Sequence, residues 1–400
     1  MARTTAGNLI VVQGGGPTAV FNASLYGVVR QAQIHGRFGR ILGARHGVEG
    51  LLDGDFADMG SLDDGLIERL PFTPGAALGS SRLLLSPDQF ERTLATLRRN
   101  DARGLVFIGG DGSMTAARRL AELIADAGDD VAVIGVPKTV DNDVAGTDRA
   151  PGFASAARYV AQTVRDLGVD VRSLPVPVSI FETMGRDAGW LAGSALLARE
   201  DPDDDCDAPH LVYLAETPFD VDAFLGAIDA TVRRLGWAVA VVSEGVRGAD
   251  GELVFLTDEG AQRDAVGRAL PGDVGSRLAG EVASKLHLRC RSEKPGLCGR
   301  SSILHVSTVD RRDAECVGRA AVDAVLTGQR SVMVALQPWR SDDNGPSVHL
   351  VPLETVAGRH KRVPTQWISP AAAAVSEPFI DYVRPLLGPP LLDYARLPAD

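Results

Sequence analysis

The chain has 400 residues, of which 45% are hydrophobic and 23% are charged, and its formal net charge is −11 with an isoelectric point near 5.2. This length exceeds what one hydrophobic core usually serves, so we expect two domains or one large α/β body. The negative charge argues against a nucleic acid or a membrane surface as a partner, because both are polyanions.

Short β-branched runs alternate with longer helical patterns along the chain, which is typical of parallel strands joined by crossover helices. We predict strands at residues 8–13, 40–45, 104–109, 131–136, 176–181, 210–215, 238–243, 302–307 and 332–336. We predict helices at residues 17–33, 113–127, 153–168, 187–199, 219–235, 273–288 and 311–327. This alternation predicts a layered α/β fold.

The sequence also argues against a zinc site, a signal peptide and a membrane span. No metal-binding spacing occurs among the seven histidines or the four cysteines, Cys206, Cys290, Cys298 and Cys316, so we expect free thiols in a reducing compartment. No run of 18 apolar residues occurs, and the N-terminal region lacks the pattern of a signal peptide. We therefore expect a cytoplasmic protein.

Two glycine clusters come directly after predicted strands. The sequence GGGPTA (14–19) follows the first strand, and GGDGS (109–113) follows the third. At such strand-to-helix turns, backbone amides can face an anion, and glycine lets the anion approach the backbone. The first cluster also fits a dinucleotide fingerprint that begins at Gly14, and Arg45 at the end of the second strand would suit the 2′-phosphate of NADP. An NADP-dependent dehydrogenase is therefore an alternative interpretation.

An acidic residue lies inside the second glycine cluster. The carboxylate of Asp111 would repel a bound phosphate unless a Mg²⁺ ion bridged the two, which indicates a metal role for this residue. Capping of the following helix by Asp111 or Ser113 is the alternative interpretation.

Three further aspartates follow the fourth predicted strand. Asp141, Asp143 and Asp148 lie within eight residues, and Lys138 precedes them. Clustered carboxylates at the carboxyl end of a parallel strand are unfavourable unless a cation or a proton compensates their charge, so they indicate chemistry on a phosphate with Mg²⁺. We expect Asp141 to take the proton from an attacking hydroxyl, Asp143 to hold that base or the metal, and Asp148 to cap the next helix.

In this order, GGGPTA, GGDGS and KTVDND resemble the phosphofructokinase family, and the rest of the sequence most resembles its pyrophosphate-dependent branch. Further matching segments are PGAALGSSR (74–82), GFASAARYV (152–160), ETMGRDAGWLAGSALLA (182–198), VVSEG (241–245) and the pair Arg291 and Arg300. The resemblance extends from about residue 8 to residue 335 and implies a Mg²⁺-dependent 6-phosphofructokinase-like phosphotransferase.

The resemblance also implies a domain organisation. We expect two layered α/β domains with mostly parallel sheets and an active site in the cleft between them. Residues 1–152 would bind the phosphoryl donor, and residues of about 299–330 would return to this domain. Residues 153–298 would bind the sugar phosphate, and residues 331–400 would form a C-terminal segment that completes the fold.

The family pattern implies three groups of site residues. Those that would bind the donor are Gly16, Arg82, Gly110, Asp111, Gly112 and Ser113, with Asp111 also binding Mg²⁺. Those that would act on the transferring group are Lys138, Thr139, Asp141, Asp143 and Arg186, with Asp141 as general base for the sugar 1-hydroxyl. Those that would bind the sugar phosphate are Met184, Gly185, Glu244, Arg291 and Arg300. In the family the arginine at position 291 often reaches a neighbouring subunit, so we expect a homodimer or a homotetramer.

The phosphoryl donor depends on two positions in the family pattern. Members that use pyrophosphate typically carry an acidic residue where this chain has Gly112 and a lysine where it has Lys138, whereas ATP users typically carry glycine at the first position. A side chain at position 112 would crowd the α-phosphate of a nucleotide. Gly112 therefore favours ATP as the expected donor, with pyrophosphate as the alternative.

The acceptor positions also depart from the family pattern. Leu297 and Pro177 stand where many members carry a histidine and an arginine that bind the sugar 6-phosphate, and Arg289 or Lys294 would have to compensate. We expect fructose 6-phosphate as the acceptor, with sedoheptulose 7-phosphate or a sugar of specialised metabolism as the alternative. A non-catalytic regulatory subunit that binds a sugar phosphate is an alternative of another class, although the intact aspartates argue against it.

Overall fold

The computed structural model describes residues 7–201, 206–256, 272–339, 345–369 and 375–395. The chain divides into two compact units: unit 1 contains Met1–Phe153 and Arg300–Lys361, and unit 2 contains Ala154–Gly299 and Arg362–Asp400. The C-terminal residues 331–400, which we expected to act as one segment, are therefore divided between the two units after Lys361.

The described residues contain strands and helices that alternate over most of the chain. The strands are β1 (Asn8–Gln13), β2 (Ile41–Ala44), β3 (Phe56–Asp58), β4 (Ala102–Gly109), β5 (Ala132–Pro137), β6 (Val178–Thr183), β7 (Leu211–Tyr213), β8 (Ala238–Ser243), β9 (Cys290–Glu293), β10 (Val332–Leu336) and β11 (Val348–Pro352). The helices are α1 (Phe21–His35), α2 (Val48–Asp53), α3 (Asp64–Ile67), α4 (Pro87–Arg99), α5 (Asp111–Asp126), α6 (Phe153–Ser173), α7 (Trp190–Ser194), α8 (Val221–Leu235), α9 (Val274–Lys285), α10 (Leu297–Ser301), α11 (Thr308–Leu326) and α12 (Glu377–Val383). Within the described ranges, no helix is both long enough and apolar enough to cross a membrane.

The sheet of unit 1 has seven strands in the order β11-β10-β5-β4-β1-β2-β3. The two edge strands, β3 and β11, run antiparallel to their neighbours, and the five inner strands are parallel. Alternate residues of β1 enter two different cores: Leu9 and Val11 pack with residues of α1 and α11, whereas Ile10 and Val12 pack with residues of α5. Burial on both faces explains why these strands are continuous apolar runs in the sequence. Because β1, β4 and β5 are parallel, the turns that follow them lie at one edge of the sheet.

The sheet of unit 2 has four parallel strands in the order β7-β8-β6-β9. Its core contains Phe224 and Ile228 of α8 and Leu278 of α9, which pack with the buried residues of β6 and β8. Since β6 and β8 are neighbours, Met184 and Glu244, which directly follow them, come to the same edge of this sheet. The predicted class, layered α/β domains with mostly parallel sheets, is confirmed.

Two predictions of secondary structure were wrong. The predicted strand at 302–307 is instead a 3-10 turn at Ile303–His305, because Ser307 caps α11: its Oγ accepts hydrogen bonds from the backbone N–H groups of Val309 (3.1 Å) and Asp310 (3.3 Å). The predicted helix at 187–199 is interrupted, since α7 ends at Ser194 and a 3-10 helix follows it.

The capping role predicted for Asp148 was also wrong. Helix α6 begins only at Phe153, and the Asp148 carboxylate instead pairs with the guanidinium of Arg149 at 3.3 Å. The alternative capping role of Ser113 is not observed either, because α5 already begins at Asp111 and Gly110 is its cap residue.

Candidate active site

The two glycine clusters of unit 1 lie against each other at the carboxyl ends of β1 and β4. The Gly14 N–H donates to the carbonyl of Ile108 at 2.9 Å. A Cβ added at Gly14 or at Gly109 would lie 2.3 or 2.0 Å from the Oγ of Ser113. Glycine is therefore required at both positions, and Ser113 fills the space between the two turns. At Gly112, by contrast, an added Cβ would meet no atom within 4 Å.

Lys138 joins the end of β5 to the first glycine cluster. The side chain is buried, its Nζ donates to the carbonyl of Gly16 at 2.8 Å, and it lies 4.9 Å from the centre of the Phe21 ring. Burial lowers the pKa of Lys138 to about 8, although the Asp143 carboxylate opposes this shift; the positive charge of Arg300 lowers the pKa further. The ammonium is thus held close to both positive and negative groups.

Arg300 lies over the first glycine cluster. A Cβ added at Gly16 would be 2.8 Å from Arg300 Nη1. Burial lowers the pKa of Arg300, the charge of Arg82 lowers it further, and the Asp141 carboxylate opposes both effects. We expected Arg300 among the residues that bind the sugar phosphate, but in unit 1 it faces the residues expected to bind the donor. Lys138, Arg82 and Arg300 are therefore close together beside two carboxylates, and an anion bound among them would reduce their mutual repulsion.

The aspartate loop after β5 turns sharply between Asp141 and Asp143. The Asp141 N–H donates to the Oγ1 of Thr139 at 3.1 Å. Asn142 has a φ of 52°, in the left-handed region that is uncommon for residues other than glycine. Its Oδ1 accepts a hydrogen bond from the Ala150 N–H at 3.1 Å, so a buried side chain stabilises this conformation.

Asp143 is ionised at neutral pH despite its burial. Burial alone would raise the pKa of this carboxyl, but interactions with His360 and Thr139 hold the pKa below its usual value. The Nδ1 of His360 lies 3.8 Å from Asp143 Oδ2. Hydrogen bonds to the charged form thus keep a carboxylate ionised next to Asp141.

Asp111, the first residue of α5, is the predicted metal ligand. Its Oδ1 accepts a hydrogen bond from the Gly358 N–H at 2.6 Å, and its Oδ2 has no partner among the described residues. No group of three or more His, Cys, Asp or Glu side chains in the described part of the chain could hold a metal by itself. Mg²⁺ is usually bound by one or two carboxylates together with substrate phosphates, so Asp111 fits a metal that a phosphate ligand also coordinates.

In unit 2, the turns after β6 and β8 interlock. Gly185 has a φ of 125°, and its carbonyl accepts a hydrogen bond from the Ser243 hydroxyl. A Cβ added at Gly245 would lie 1.8 Å from the carbonyl oxygen of Arg186. These close contacts bring Met184, Gly185 and Arg186 together with Glu244. Burial raises the pKa of Glu244, and the negative charge of Glu182 raises it further.

Lys294, which we expected as a possible contact for the sugar phosphate, is instead engaged by two carboxylates. Its Nζ lies 2.8 Å from Oε1 of the buried Glu182 and 2.7 Å from Oδ1 of Asp273. Arg291 is exposed, and its backbone pairs with Ser179 near the beginning of β6. The structure of one chain therefore does not bring the backbone of Arg291 to the carboxyl edge of this sheet, where Glu244 lies.

Two residues near the aspartate loop were missed by the sequence predictions. His360 and Lys361 contact this loop. The only signal in the sequence is the basic run HKR at 360–362, which also fits a solvated surface segment.

Comparisons with known proteins show the family to which the chain belongs. Residues 8–325 match a family profile described as "Phosphofructokinase". The "Pyrophosphate--fructose 6-phosphate 1-phosphotransferase" of Xanthomonas campestris pv. campestris is 37% identical over 391 residues, which cover 96% of this chain and 92% of the relative. The "Sulfofructose kinase" of Alkalicoccus urumqiensis is 35% identical, with 89% and 90% covered. The crystal structure of a pyrophosphate-dependent phosphofructokinase from Nitrosospira multiformis matches with a TM-score of 0.86 and 31% identity, covering 98% of this chain and 94% of that chain.

Proposed function

Because this chain belongs to the phosphofructokinase family, we propose that it transfers a phosphoryl group from pyrophosphate to the 1-hydroxyl of fructose 6-phosphate, giving fructose 1,6-bisphosphate and phosphate. The observation that carries this proposal is the group of Lys138, Arg82 and Arg300 beside Asp141. Three neighbouring cations suit a compact, highly charged anion. The name of the Xanthomonas relative supports both the donor and the acceptor.

In the proposed reaction Asp141 is the general base. Its carboxylate takes the proton of the sugar 1-hydroxyl while the oxygen attacks a phosphorus of pyrophosphate, and the bond from this phosphorus to the bridging oxygen breaks. Lys138 and Arg300 stabilise the negative charge on the phosphate that leaves. Asp143, kept ionised by its surroundings, holds the loop and the base in place. Arg186 would neutralise charge on the transferring group, as the family pattern implies.

Asp111 would hold Mg²⁺ through the carboxylate oxygen that the Gly358 N–H leaves available. When bound, the ion would neutralise charge on the phosphate oxygens of the donor. In unit 2, Met184, Gly185 and Glu244 would bind the sugar. Arg291 would contact the sugar phosphate of a neighbouring subunit in a homodimer or homotetramer.

ATP is a second candidate for the donor, and one observation favours it. A side chain at Gly112 would project into open space, and this position is exposed at the second glycine cluster. Such space would accommodate the α-phosphate of a nucleotide. Pyrophosphate ranks first because the relative from Xanthomonas and the solved structure from Nitrosospira both carry pyrophosphate-dependent names.

A crossed assay tests both the donor and the acceptor. Pyrophosphate and ATP are each combined with fructose 6-phosphate, sedoheptulose 7-phosphate and sulfofructose, and kcat/KM is measured for every pair. We expect the highest value for pyrophosphate with fructose 6-phosphate. Saturation by ATP and not by pyrophosphate would overturn the proposed donor, and a higher kcat/KM with either of the other sugars would overturn the acceptor.

The variant G112D separates the two donors further. An aspartate in the open space would repel and crowd a nucleotide phosphate, so we expect any ATP activity to be lost while kcat/KM for pyrophosphate changes by less than about threefold. The matched control is G226D in α8, where an added Cβ also meets no atom within 4 Å. If G112D loses activity equally with ATP and with pyrophosphate while G226D keeps it, the space at Gly112 is not specific to a nucleotide.

A further inference from the structure

A lysine from the C-terminal part of unit 1 binds the loop that carries the proposed base. The Nζ of Lys361 donates to Asn142 Oδ1 at 3.1 Å, to the carbonyl of Thr147 at 3.3 Å and to the carbonyl of Asp148. Its backbone N–H donates to the carbonyl of Asp143 at 2.8 Å. One residue thus contacts the loop at four positions from 142 to 148.

These contacts act on the strained turn of the loop. Asn142, the residue between Asp141 and Asp143, has a left-handed backbone, which is uncommon for residues other than glycine. Its Oδ1 is held by two donors, the Ala150 N–H and the Lys361 ammonium. The turn sets the directions in which the side chains on either side of Asn142 leave the backbone. Loss of one donor would therefore let these two carboxylates change direction.

The opposite end of the loop has a further attachment besides Lys361. The guanidinium of Arg149 forms two hydrogen bonds with the buried Asp313 carboxylate, at 2.6 and 2.9 Å, and another with the carbonyl of Gln337 at 2.8 Å. Such a bidentate buried pair is a strong attachment. Removal of the Lys361 ammonium should therefore loosen the turn at Asn142 and leave the end of the loop attached to α11.

Burying the ammonium of Lys361 is costly. Burial lowers the pKa of Lys361 to about 7, although the carboxylates of Asp148 and Asp143 oppose the shift. An apolar residue at this position would avoid that cost, but it would donate no hydrogen bonds to the loop. A buried ammonium that donates three hydrogen bonds to one loop fits a role in holding that loop.

We propose that Lys361 is a positioning residue for phosphoryl transfer, which holds the turn at Asn142 so that the Asp141 carboxylate is directed at the hydroxyl it deprotonates. The inference rests on the proposed function, in which Asp141 is the base. Lys361 does not contact the substrate in this proposal; it acts through the loop. Misplacement of a catalytic group by about 1 Å can cost about 100-fold in rate, which sets the size of the expected effect.

The first test compares K361M and K361Q with the wild type. Methionine keeps the length of the side chain without a donor, so we expect kcat to fall by about 10- to 100-fold while KM for pyrophosphate and for fructose 6-phosphate changes by less than about twofold. Glutamine retains an N–H donor, and we expect K361Q to recover part of the lost kcat. Unchanged kcat in K361M, assayed below its unfolding temperature, would overturn the proposal.

The control variant is T96V in the same unit. Thr96 is buried in α4, and its hydroxyl donates to the carbonyl of Leu52 at 3.3 Å. Its loss should lower the thermal midpoint without changing kcat. If T96V reduces kcat as K361M does at an equal loss of stability, the effect of Lys361 is one of general stability and the positioning role is wrong.

Amide hydrogen exchange gives a readout that does not depend on turnover. In K361M without substrates, we expect faster exchange in residues 139–148 than in the wild type, and unchanged exchange in β1 and β4. Unchanged exchange in the loop would overturn the inference even if kcat falls. Failure of the wild type to use either donor would refute the proposed function instead, and the exchange experiment would still test the contact of Lys361 with the loop.

Discussion

The carboxylates at the sheet edges of the two units lie in opposite electrostatic surroundings. In unit 1, Asp143 has a pKa below its usual value, because nearby groups outweigh the effect of burial. In unit 2, burial raises the pKa of Glu244, and the negative charge of Glu182 adds to it. An ionised carboxylate can orient a neighbouring base or attract a cation, whereas either form of a carboxyl group can hydrogen-bond with the hydroxyls of a sugar. This difference fits the proposed function, in which charged chemistry belongs to unit 1 and sugar recognition to unit 2.

The basic residues of the two units differ in the same way. In unit 1, the Lys138 ammonium donates to a carbonyl and lies near Arg300 and Arg82 as well as the carboxylates of Asp143 and Asp141, so no single carboxylate is paired with it. In unit 2, Lys294 lies between two carboxylates, at 2.8 Å from Glu182 and 2.7 Å from Asp273. A multiply charged donor therefore suits unit 1 better than unit 2. The following predictions test this contrast.

The largest effect is expected for D141N. Removing the base should lower kcat by about 10²- to 10⁴-fold, because general base catalysis contributes that much, while KM for fructose 6-phosphate should change little. The measurement is steady-state turnover with pyrophosphate and fructose 6-phosphate. D126N, at the exposed end of α5, serves as the control and should behave as the wild type. Wild-type kcat in D141N would assign the base to another residue.

The next effect is expected for K138M. Loss of a charged hydrogen-bond donor to the anion costs about 1.5–3 kcal/mol, so kcat/KM for pyrophosphate should fall by about 10- to 100-fold. Burial lowers the pKa of Lys138 to about 8, so the wild type should lose kcat/KM as the pH rises through 8, where the ammonium deprotonates. K138M should lack this alkaline limb. An alkaline limb that persists in K138M would show that another group causes it.

A smaller effect is expected for E244Q. Replacing the carboxyl group of Glu244 by an amide should cost about 0.5–1.5 kcal/mol, the size of one typical hydrogen bond, so KM for fructose 6-phosphate should rise by about 3- to 10-fold with little change in kcat. The control is E252Q, an exposed glutamate of the same unit. A lower kcat with an unchanged KM would indicate that Glu244 takes part in the chemical step and would break the contrast between the units.

The smallest effect on activity is expected for K294M, whose main effect is on stability. Removing one partner of a buried ion pair costs about 3–5 kcal/mol, but the Lys294 side chain is 42% exposed, so we expect a loss of only about 1–2 kcal/mol. Differential scanning fluorimetry should show a lower midpoint for K294M. The control K285M removes a solvent-exposed lysine of α9 and should leave the midpoint unchanged. Equal midpoints for K294M and K285M would mean that the buried Glu182 carboxylate does not destabilise the fold when Lys294 is absent.

Local sequence patterns predicted the buried strands well. The predicted strands at 8–13, 238–243 and 332–336 coincide with β1, β8 and β10, because strands buried on both faces are continuous apolar runs. The capping box of α4, formed by Ser86 and Gln89, is visible in the sequence, but few apolar residues follow it, and this helix was not predicted. Strand β9 was missed because its residues, CRSE, are mostly polar, and it forms through backbone pairing with β6.

The candidate site was predicted in part. Lys138, Asp141 and Gly16 follow strands directly, so their place at the sheet edge follows from the order of the elements. Arg300 and Lys361 lie far along the chain, and no local pattern indicates which loop they reach. The donor side therefore has more cations than the sequence predicted, and the acceptor side has fewer.

The sequence by itself determined the α/β class, the glycine turns and the carboxylates that follow β5, because apolar periodicity and turn chemistry are local properties of the chain. Only the tertiary structure decided which cation faces which carboxylate. Lys361 meets Asn142 across 219 residues, and Lys138 meets Gly16 across 122. Contacts of this kind depend on how strands and loops pack in space, and charge and burial then set the pKa values on which the proposed chemistry depends.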